Sequence, residues 1–274
     1  MDPKLQLRVQ RYGWDAASSH YEDGWRAPLR AAQATLLDLA SVQTGERVIE
    51  IACGSGLVTR EIAKAVGPSG EVFATDLSQN MADLTARMCK AERLEWVRTG
   101  RMGAEDLAFP ERPFDVAVCA LGLMYAPDPR RALTAMRRAV RLGGRVVATV
   151  WGERRNCGWA EVFPIVDARV ASEVCPLFFA LGAPGALRRD FEEACLTDLR
   201  EVRQHQELEF PDERTLLNAM LIGGAVALAV KRFTPDVLAS AENEFLASVR
   251  DYRTSENGYS IPGEFVTVRG HSSA

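Results

Sequence analysis

Chemistry in this chain starts at Glu50-Ile-Ala-Cys-Gly-Ser-Gly56, where a Val- and Ile-rich run ends and an amphipathic stretch, 57–66, begins. Gly54 and Gly56 allow the backbone to approach a ligand closely and to take torsions that a Cβ would forbid. Asp76 closes the next apolar run, 20 residues after Gly56, the separation at which an acid accepts hydrogen bonds from ribose hydroxyls. Singly these signals are weak. Glycines end many strands, and Asp76 could cap the following helix, although Ser78 is available for that. Together, at this spacing, they point to an adenosine-type cofactor at the switch point of an α/β sheet. A dinucleotide site would ask for a third glycine at position 59, which is Thr59, and Glu50 inside the first strand has no role beside a pyrophosphate.

The elements that must position these residues follow from periodicity. Apolar runs at 47–52, 71–75, 94–98, 114–120 and 145–151, bounded by Gly, Pro or Asp, read as strands buried on both faces. Amphipathic stretches at 57–66, 78–91 and 129–141 separate them. Such alternation gives a parallel, doubly wound sheet with right-handed crossovers. Gly143-Gly144 is expected to end the last of these helices. Ahead of this block, 11–42 reads as two helices rich in aromatics. Behind it the alternation stops: 152–195, with Pro164, Pro176 and Pro184, suits short helices or a lid. Candidate strands return at 199–206 and 264–269, around an apolar helical segment, 212–253. The expected organisation is an N-terminal helical cap, 1–43, and one domain, 44–274, with lid or insert segments at 152–195 and 211–258.

Composition narrows the function. The chain has 274 residues, 47 % of them apolar, enough for one ordinary core and too many for intrinsic disorder. Lys and Arg number 33 against 37 Asp and Glu, a net charge of −4, whereas a nucleic-acid partner asks for a cationic excess. The longest uncharged run, 215–230, falls short of the about 20 residues of a spanning helix and contains Gly223-Gly224. The charged N-terminus has no apolar signal segment, so a cytoplasmic location is expected. Six scattered cysteines without a CxxC pair or a neighbouring histidine give no zinc site and no disulfide framework, and no metal is expected.

The first motif resembles motif I of class I S-adenosylmethionine-dependent methyltransferases, written Asp/Glu-x-Gly/Ala-x-Gly-x-Gly. Other segments follow in order. Asp76-Leu-Ser-Gln-Asn-Met81 is similar to the family's ribose-binding acid and helix start, and Ala104-Glu-Asp-Leu-Ala-Phe-Pro110 with Phe114-Asp115 to its adenine-side loop and fourth strand. Gly122-Leu-Met-Tyr-Ala-Pro-Asp128, Met136-Arg-Arg-Ala-Val-Arg-Leu-Gly-Gly-Arg145 and Val150-Trp-Gly152 resemble the methyltransferase-11-type branch, which includes quinone and natural-product methyltransferases. The resemblance covers 46–152. It implies a doubly wound, mostly parallel, seven-stranded Rossmann-like α/β sheet with a helical cap and a helical lid, and S-adenosylmethionine as cofactor. It also implies roles: Glu50 and the turn from Ala52 through Gly54 to Gly56 at the methionine end, Asp76 on the ribose, Leu77 and Met81 flanking the adenine, Ala104 and Glu105 at its edge, and Leu121 on the floor. One position departs. Gly103 stands where members often carry an Asp toward the adenine amino group, so that contact passes to backbone or to Glu105.

Methyl transfer is an in-line displacement that needs alignment, exclusion of water and, for some acceptors, a base. Many relatives carry His where this chain has Met124 and Tyr125, so no base is inherited. His20 is the catalytic candidate, weighed against an ordinary exposed helical histidine, and Tyr125 either orients an acceptor or packs as core. Tyr12, Trp14, Tyr21 and Trp151 are expected to bind substrate, although helical aromatics also serve as core. The expected acceptor is a small, largely apolar organic molecule methylated on oxygen or carbon, with nitrogen open, mainly through proximity and desolvation. Alternatives are a protein that keeps S-adenosylmethionine without methylating, arsenite methylation through Cys157, Cys175 and Cys195, and an NAD-dependent dehydrogenase. The expected partner is the small molecule alone, with the chain a monomer or homodimer.

Overall fold

The computed structural model describes residues 3–107, 109, 111, 113–170, 175 and 177–273; Ala108 and Pro110 of the adenine-side motif, and Pro176 and 171–174 of the expected lid, lie outside them. Helices α1 (Pro3–Ala17), α2 (Tyr21–Trp25) and α3 (Arg30–Ala40) precede the sheet. Strands β1 (Arg47–Ile51), β2 (Glu71–Asp76), β3 (Val97–Arg101), β4 (Phe114–Ala120) and β5 (Val140–Trp151) pair in parallel. Helices α4 (Leu57–Val66), α5 (Gln79–Ala91) and α6 (Pro129–Ala139) connect them. After α7 (Val162–Val170) and α8 (Ala186–Glu193), β6 (Leu196–Phe210) and β7 (Tyr259–Ser272) complete the sheet. Among the described residues its order is β3-β2-β1-β4-β5-β7-β6, with β7 antiparallel to both neighbours. Between β6 and β7 run α9 (Glu213–Leu217), a π turn (Asn218–Ile222), α10 (Ala227–Val230) and α11 (Pro235–Ser248).

Alternation along the central strands divides the core between the two faces. Val48, Val116, Val118 and Val147 pack with Leu36 and Leu39 of α3 and Val58 and Ile62 of α4. Their neighbours Ile49, Ile51, Ala117, Cys119, Val146 and Ala148 pack into the other cluster with Leu133 and Met136 of α6 and with Trp25, Trp159, Phe163 and Phe178. Buried apolar residues on both faces are why these strands read as continuous hydrophobic runs.

Several boundaries differ from expectation, each for a local reason. The cap holds three helices rather than two and begins at Pro3, because Leu7, Gln10 and Trp14 form one stripe of α1. The third strand starts at Val97, not 94: Arg93 is left-handed (φ 58°) and the Leu94 N–H closes the end of α5 on the Cys89 carbonyl at 2.9 Å. Helix α6 stops at Ala139 and Val140 already pairs with Phe114. Gly143-Gly144 therefore lies in an irregularity of β5, Gly143 at φ 74°, instead of ending the helix. The pair β6–β7 extends well beyond the expected 199–206 and 264–269, since each strand satisfies the other's backbone to its ends. The uncharged run 215–230 is broken at Gly223-Gly224. A Cβ on Gly223 would meet the His20 carbonyl oxygen at 2.9 Å, and one on Gly224 the Ala219 carbonyl oxygen at 2.9 Å.

Candidate active site

Two residues without glycine's freedom take left-handed torsions where β1 and β4 end: Ala52 (φ 57°) and Leu121 (φ 58°). Such torsions cost a non-glycine residue on the order of 1–3 kcal/mol and gather at functional sites. Here they bend the chain away on either side of the switch point and open a cleft of about 740 Å³, its mouth included. Gly54 (φ 57°) and Gly56 (φ 84°) complete the turn into α4. A Cβ on Gly56 would come within 3.0 Å of the Thr85 side chain, so this position is closed to other residues on two counts.

Asp76 clamps that turn onto β2. It is 6 % exposed, its Oδ2 accepts from the Gly54 N–H at 2.9 Å and its Oδ1 from the Ser78 N–H at 2.8 Å. Burial pushes its carboxyl up to about 6, against those backbone donors. Ser78 caps α5 as the sequence suggested, accepting from the Met81 N–H at 3.1 Å, and its hydroxyl also donates to Asp15 of α1 at 2.5 Å. Glu50 is buried behind the turn, where the Thr59 hydroxyl donates to its Oε2 at 2.5 Å and burial pushes the carboxyl up to about 8. Thr59 thus occupies the place of a third glycine because it partners Glu50. Neither Glu50 nor Gly56 lines the cleft; both act from behind it.

The cleft is lined by Ala52, Gly54 and Asp76, by Leu77, Met81 and Met102, by Gly103, Ala104 and Glu105, and by Leu121. Glu105 also accepts from the Asp128 N–H at 2.8 Å, which fixes the loop before α6. Leu7, Gln10 and Trp14 of α1 and Tyr21 of α2 close over it. Tyr12 does not join them. It falls on the opposite side of α1, 49 % exposed, with the Arg11 guanidinium 4.6 Å from its ring. His20 is likewise outside. It caps α2 with its side chain exposed, and the turn that carries Tyr21 inward carries His20 outward, so it lines no cavity described here. Helical phase sets Tyr12 outside and the turn at 18–20 sets His20 outside, neither of which residue type alone fixes.

A second, inner cavity of about 380 Å³, its mouth included, shares Trp14, Tyr21, Leu121 and Tyr125 with the cleft. Its remaining walls are Trp25, Leu29, Met124, Trp151, Trp159 and Phe178, closed by Gly224 and Ala225 at the break in the insert. The rings pack edge to face: Trp14 with Tyr125 at 5.1 Å, Tyr125 with Phe178 at 5.5 Å, Trp151 with Trp159 at 4.7 Å between centroids. Burial raises the Tyr21 and Tyr125 phenols well above their ordinary value, so both stay neutral at physiological pH. No His, Asp or Glu is among the described residues lining this cavity. Trp25, Trp159 and Phe178 carried no sequence signal, because three separate segments bring them together. The cysteines do not form a site: among the described residues no three His, Cys, Asp or Glu side chains group as metal ligands. Burial also pushes the thiols of Cys157 and Cys175 up to about 12 and about 11.

Residues 48–144 match the family described as methyltransferase domain. The ubiquinone/menaquinone biosynthesis C-methyltransferase UbiE of Hahella chejuensis is 30 % identical over 207 residues, 74 % of this chain and 76 % of that protein. The demethylmenaquinone methyltransferase of Geobacillus kaustophilus is 29 % identical over 244 residues, 87 % of this chain and 97 % of its own length. Among solved structures, the YcgJ protein of Bacillus subtilis superposes with a TM-score of 0.62 at 16 % identity, over 89 % of this chain and 99 % of that one. A doubly wound sheet with a glycine turn and an acid at its switch point is the frame of an adenosine-type cofactor site, and with these relatives the chain belongs to the class I S-adenosylmethionine-dependent methyltransferases, in their quinone-methyltransferase branch. It is an enzyme that methylates small molecules with S-adenosylmethionine as methyl donor. Among the described residues no helix is long and apolar enough to cross a membrane.

Proposed function

We propose that the chain transfers the methyl group to a flat, largely apolar aromatic acceptor seated in the inner cavity, on carbon or oxygen. The observation that carries this reading is the common wall. Trp14, Tyr21, Leu121 and Tyr125 line both spaces, so a ligand in one abuts a ligand in the other. The cofactor cleft fits its ligand in kind: Asp76 has lone pairs to spare for a ribose diol, and Leu77, Met81 and Met102 give a flat base apolar flanks. The Ser55 hydroxyl in the glycine turn is buried without a partner among the described residues. Glu50 stands toward the methionine end, with Ala104 and Glu105 by the adenine edge.

Bound S-adenosylmethionine supplies a sulfonium methyl that is already activated. What the chain adds is orientation and dryness. The cap helices α1 and α2 cover the cleft, and the aromatic walls exclude water from the acceptor side. Tyr21 and Tyr125, as neutral phenols, orient an acceptor oxygen rather than remove its proton. With no His, Asp or Glu among the described residues lining the cavity, the reading favours an acceptor that is nucleophilic by itself, as an electron-rich quinol or phenol ring is. The relatives named as C-methyltransferases of ubiquinone and menaquinone biosynthesis favour carbon.

The test uses methyl-labelled S-adenosylmethionine with 1,4-naphthoquinol, reduced in situ. Label should enter the ring or its hydroxyl with one equivalent of S-adenosylhomocysteine released, and the product's mass spectrum separates carbon from oxygen transfer. Protein that binds S-adenosylhomocysteine yet labels neither this quinol nor a panel of simple phenols would contradict the proposal.

A further inference from the structure

Leu5, Val9 and Tyr12 of α1 are 39, 37 and 49 % exposed, and their spacing of four and three residues sets them on one stripe of the helix. Among the described residues the other exposed large apolar side chains are Leu142 and Leu177, so exposed apolar surface gathers on this helix. The opposite stripe, Leu7, Gln10 and Trp14, faces the cofactor cleft. Within α1 Ala17 alone is buried, and Asp15 ties that end to α5 through the Ser78 hydroxyl at 2.5 Å. Packing therefore accounts for the inner stripe but not for the outer one. The helix also carries Lys4, Arg8 and Arg11 with no acid from Pro3 to Trp14, in a chain whose net charge is −4. Helix α10 packs on α1 at Gly13, where a Cβ would lie 3.7 Å from the Leu228 Cβ, and is followed by the exposed Lys231 and Arg232. Arg8, Lys231 and Arg232 enter no ion pair among the described residues.

An apolar stripe beside cations is the pattern of a helix that lies in the plane of a lipid interface, apolar side chains among the acyl chains and cations at the phosphates. A second copy of the chain fits this face less well, because a two-fold contact sets Lys4, Arg8 and Arg11 of one copy against the same set in the other. The proposed acceptor is largely apolar and dissolves in a lipid layer, which favours lipid over an acidic protein, and to that extent the inference rests on the acceptor reading above. We infer that the outer face of α1 docks on an anionic lipid surface, with Leu5, Val9 and Tyr12 inserted and Lys4, Arg8 and Arg11 meeting the phosphates. The inner stripe of the same helix walls the cofactor cleft. Docking thus holds the cap against the layer from which an apolar acceptor is drawn.

The test is co-sedimentation of the full chain, saturated with S-adenosylhomocysteine, with vesicles of equimolar phosphatidylglycerol and phosphatidylcholine, beside vesicles of phosphatidylcholine alone. Affinity for the anionic vesicles should exceed that for the neutral ones by about tenfold or more, and should fall with added salt. Val9→Glu/Tyr12→Glu should lower it about tenfold and Arg8→Gln about fivefold, with S-adenosylhomocysteine affinity within about twofold of wild type in both. Wild type that stays in the supernatant, or that binds both kinds of vesicle equally, overturns the inference. Vesicle binding undiminished in both variants overturns it too, since the contact then lies elsewhere on the chain. A dimer that Val9→Glu/Tyr12→Glu splits, without vesicle binding by the wild type, gives this face to a second copy instead. No acceptor takes part, so these outcomes are read apart from the labelling of 1,4-naphthoquinol, which tests the acceptor reading by itself. The wild-type comparison of the two vesicles decides the matter even if the double variant does not fold.

Discussion

At the scale of single residues, Asp76 holds the glycine turn to the end of β2 as well as facing the cleft. Replacing it with alanine leaves the Gly54 and Ser78 N–H groups without their acceptor. Asp76→Ala should lower S-adenosylhomocysteine affinity ten- to a hundredfold, about 1.5–3 kcal/mol, by titration calorimetry, and should also lower the melting temperature. Glu50 gives a pH signature. Its folded carboxyl titrates near 8, chiefly through burial, against an unfolded value near 4.5. Its contribution to stability is therefore complete below about pH 4.5 and is lost as pH rises toward 8. Urea unfolding of the ligand-free protein should show that loss, and Glu50→Gln should remove it. If the proposed cofactor placement sets the cationic methionine amine toward Glu50, it favours the carboxylate, and cofactor affinity should rise with pH over the same range in the wild type more than in Glu50→Gln. Residue type and spacing made Asp76 and the two glycines readable in the sequence. Thr59 as the partner of Glu50 and the left-handed Ala52 and Leu121 depend on neighbours that only folding supplies.

At the scale of elements, the short helix α2 joins cap, cofactor turn and insert. Arg60 of α4 donates from Nε to the Gly56 carbonyl at 3.0 Å, and its guanidinium meets Glu22 of α2 at 2.9 Å and Glu92 at 3.0 Å. Trp25 bonds the π turn, and Gly24 packs on it so closely that a Cβ would come within 2.7 Å of Ala219 Cβ and 2.9 Å of its Cα. Backbone cannot step aside as a side-chain tip can. Gly24→Ala should cost about 1–3 kcal/mol in stability by thermal or denaturant unfolding. It should also raise the acceptor KM more than the cofactor KM, because the displaced helix carries Tyr21 and Trp25 into the inner cavity wall. Equal changes in both would argue that α2 serves stability alone. Helix α2 was hard to read in the sequence because it is one turn long with glycine inside. Its neighbour α1 was legible as a helix only from residue 11 and not in phase, which is how Tyr12 came to be expected in the site; His20 lies beyond it, in the turn before α2.

At the scale of the whole molecule, β1, β2, β4 and their crossover helices were written in alternation and glycine punctuation, since both faces of those strands are buried. The remainder was not. Strand β6 is half exposed and charged along its length, so its pattern gives no clean period, and the inner cavity is assembled from cap, lid and insert, segments far apart in sequence. On the proposed function the two spaces hold separate ligands, and Ala225 tells them apart, because it lines the inner cavity and not the cofactor cleft. The most direct measurement is single-turnover transfer of labelled methyl to 1,4-naphthoquinol by Ala225→Trp, beside its affinity for S-adenosylhomocysteine. The indole should fill the inner cavity, so transfer should fall at least a hundredfold while S-adenosylhomocysteine binds within twofold of wild type. Undiminished transfer in a variant that still binds S-adenosylhomocysteine would place the acceptor elsewhere and contradict the account.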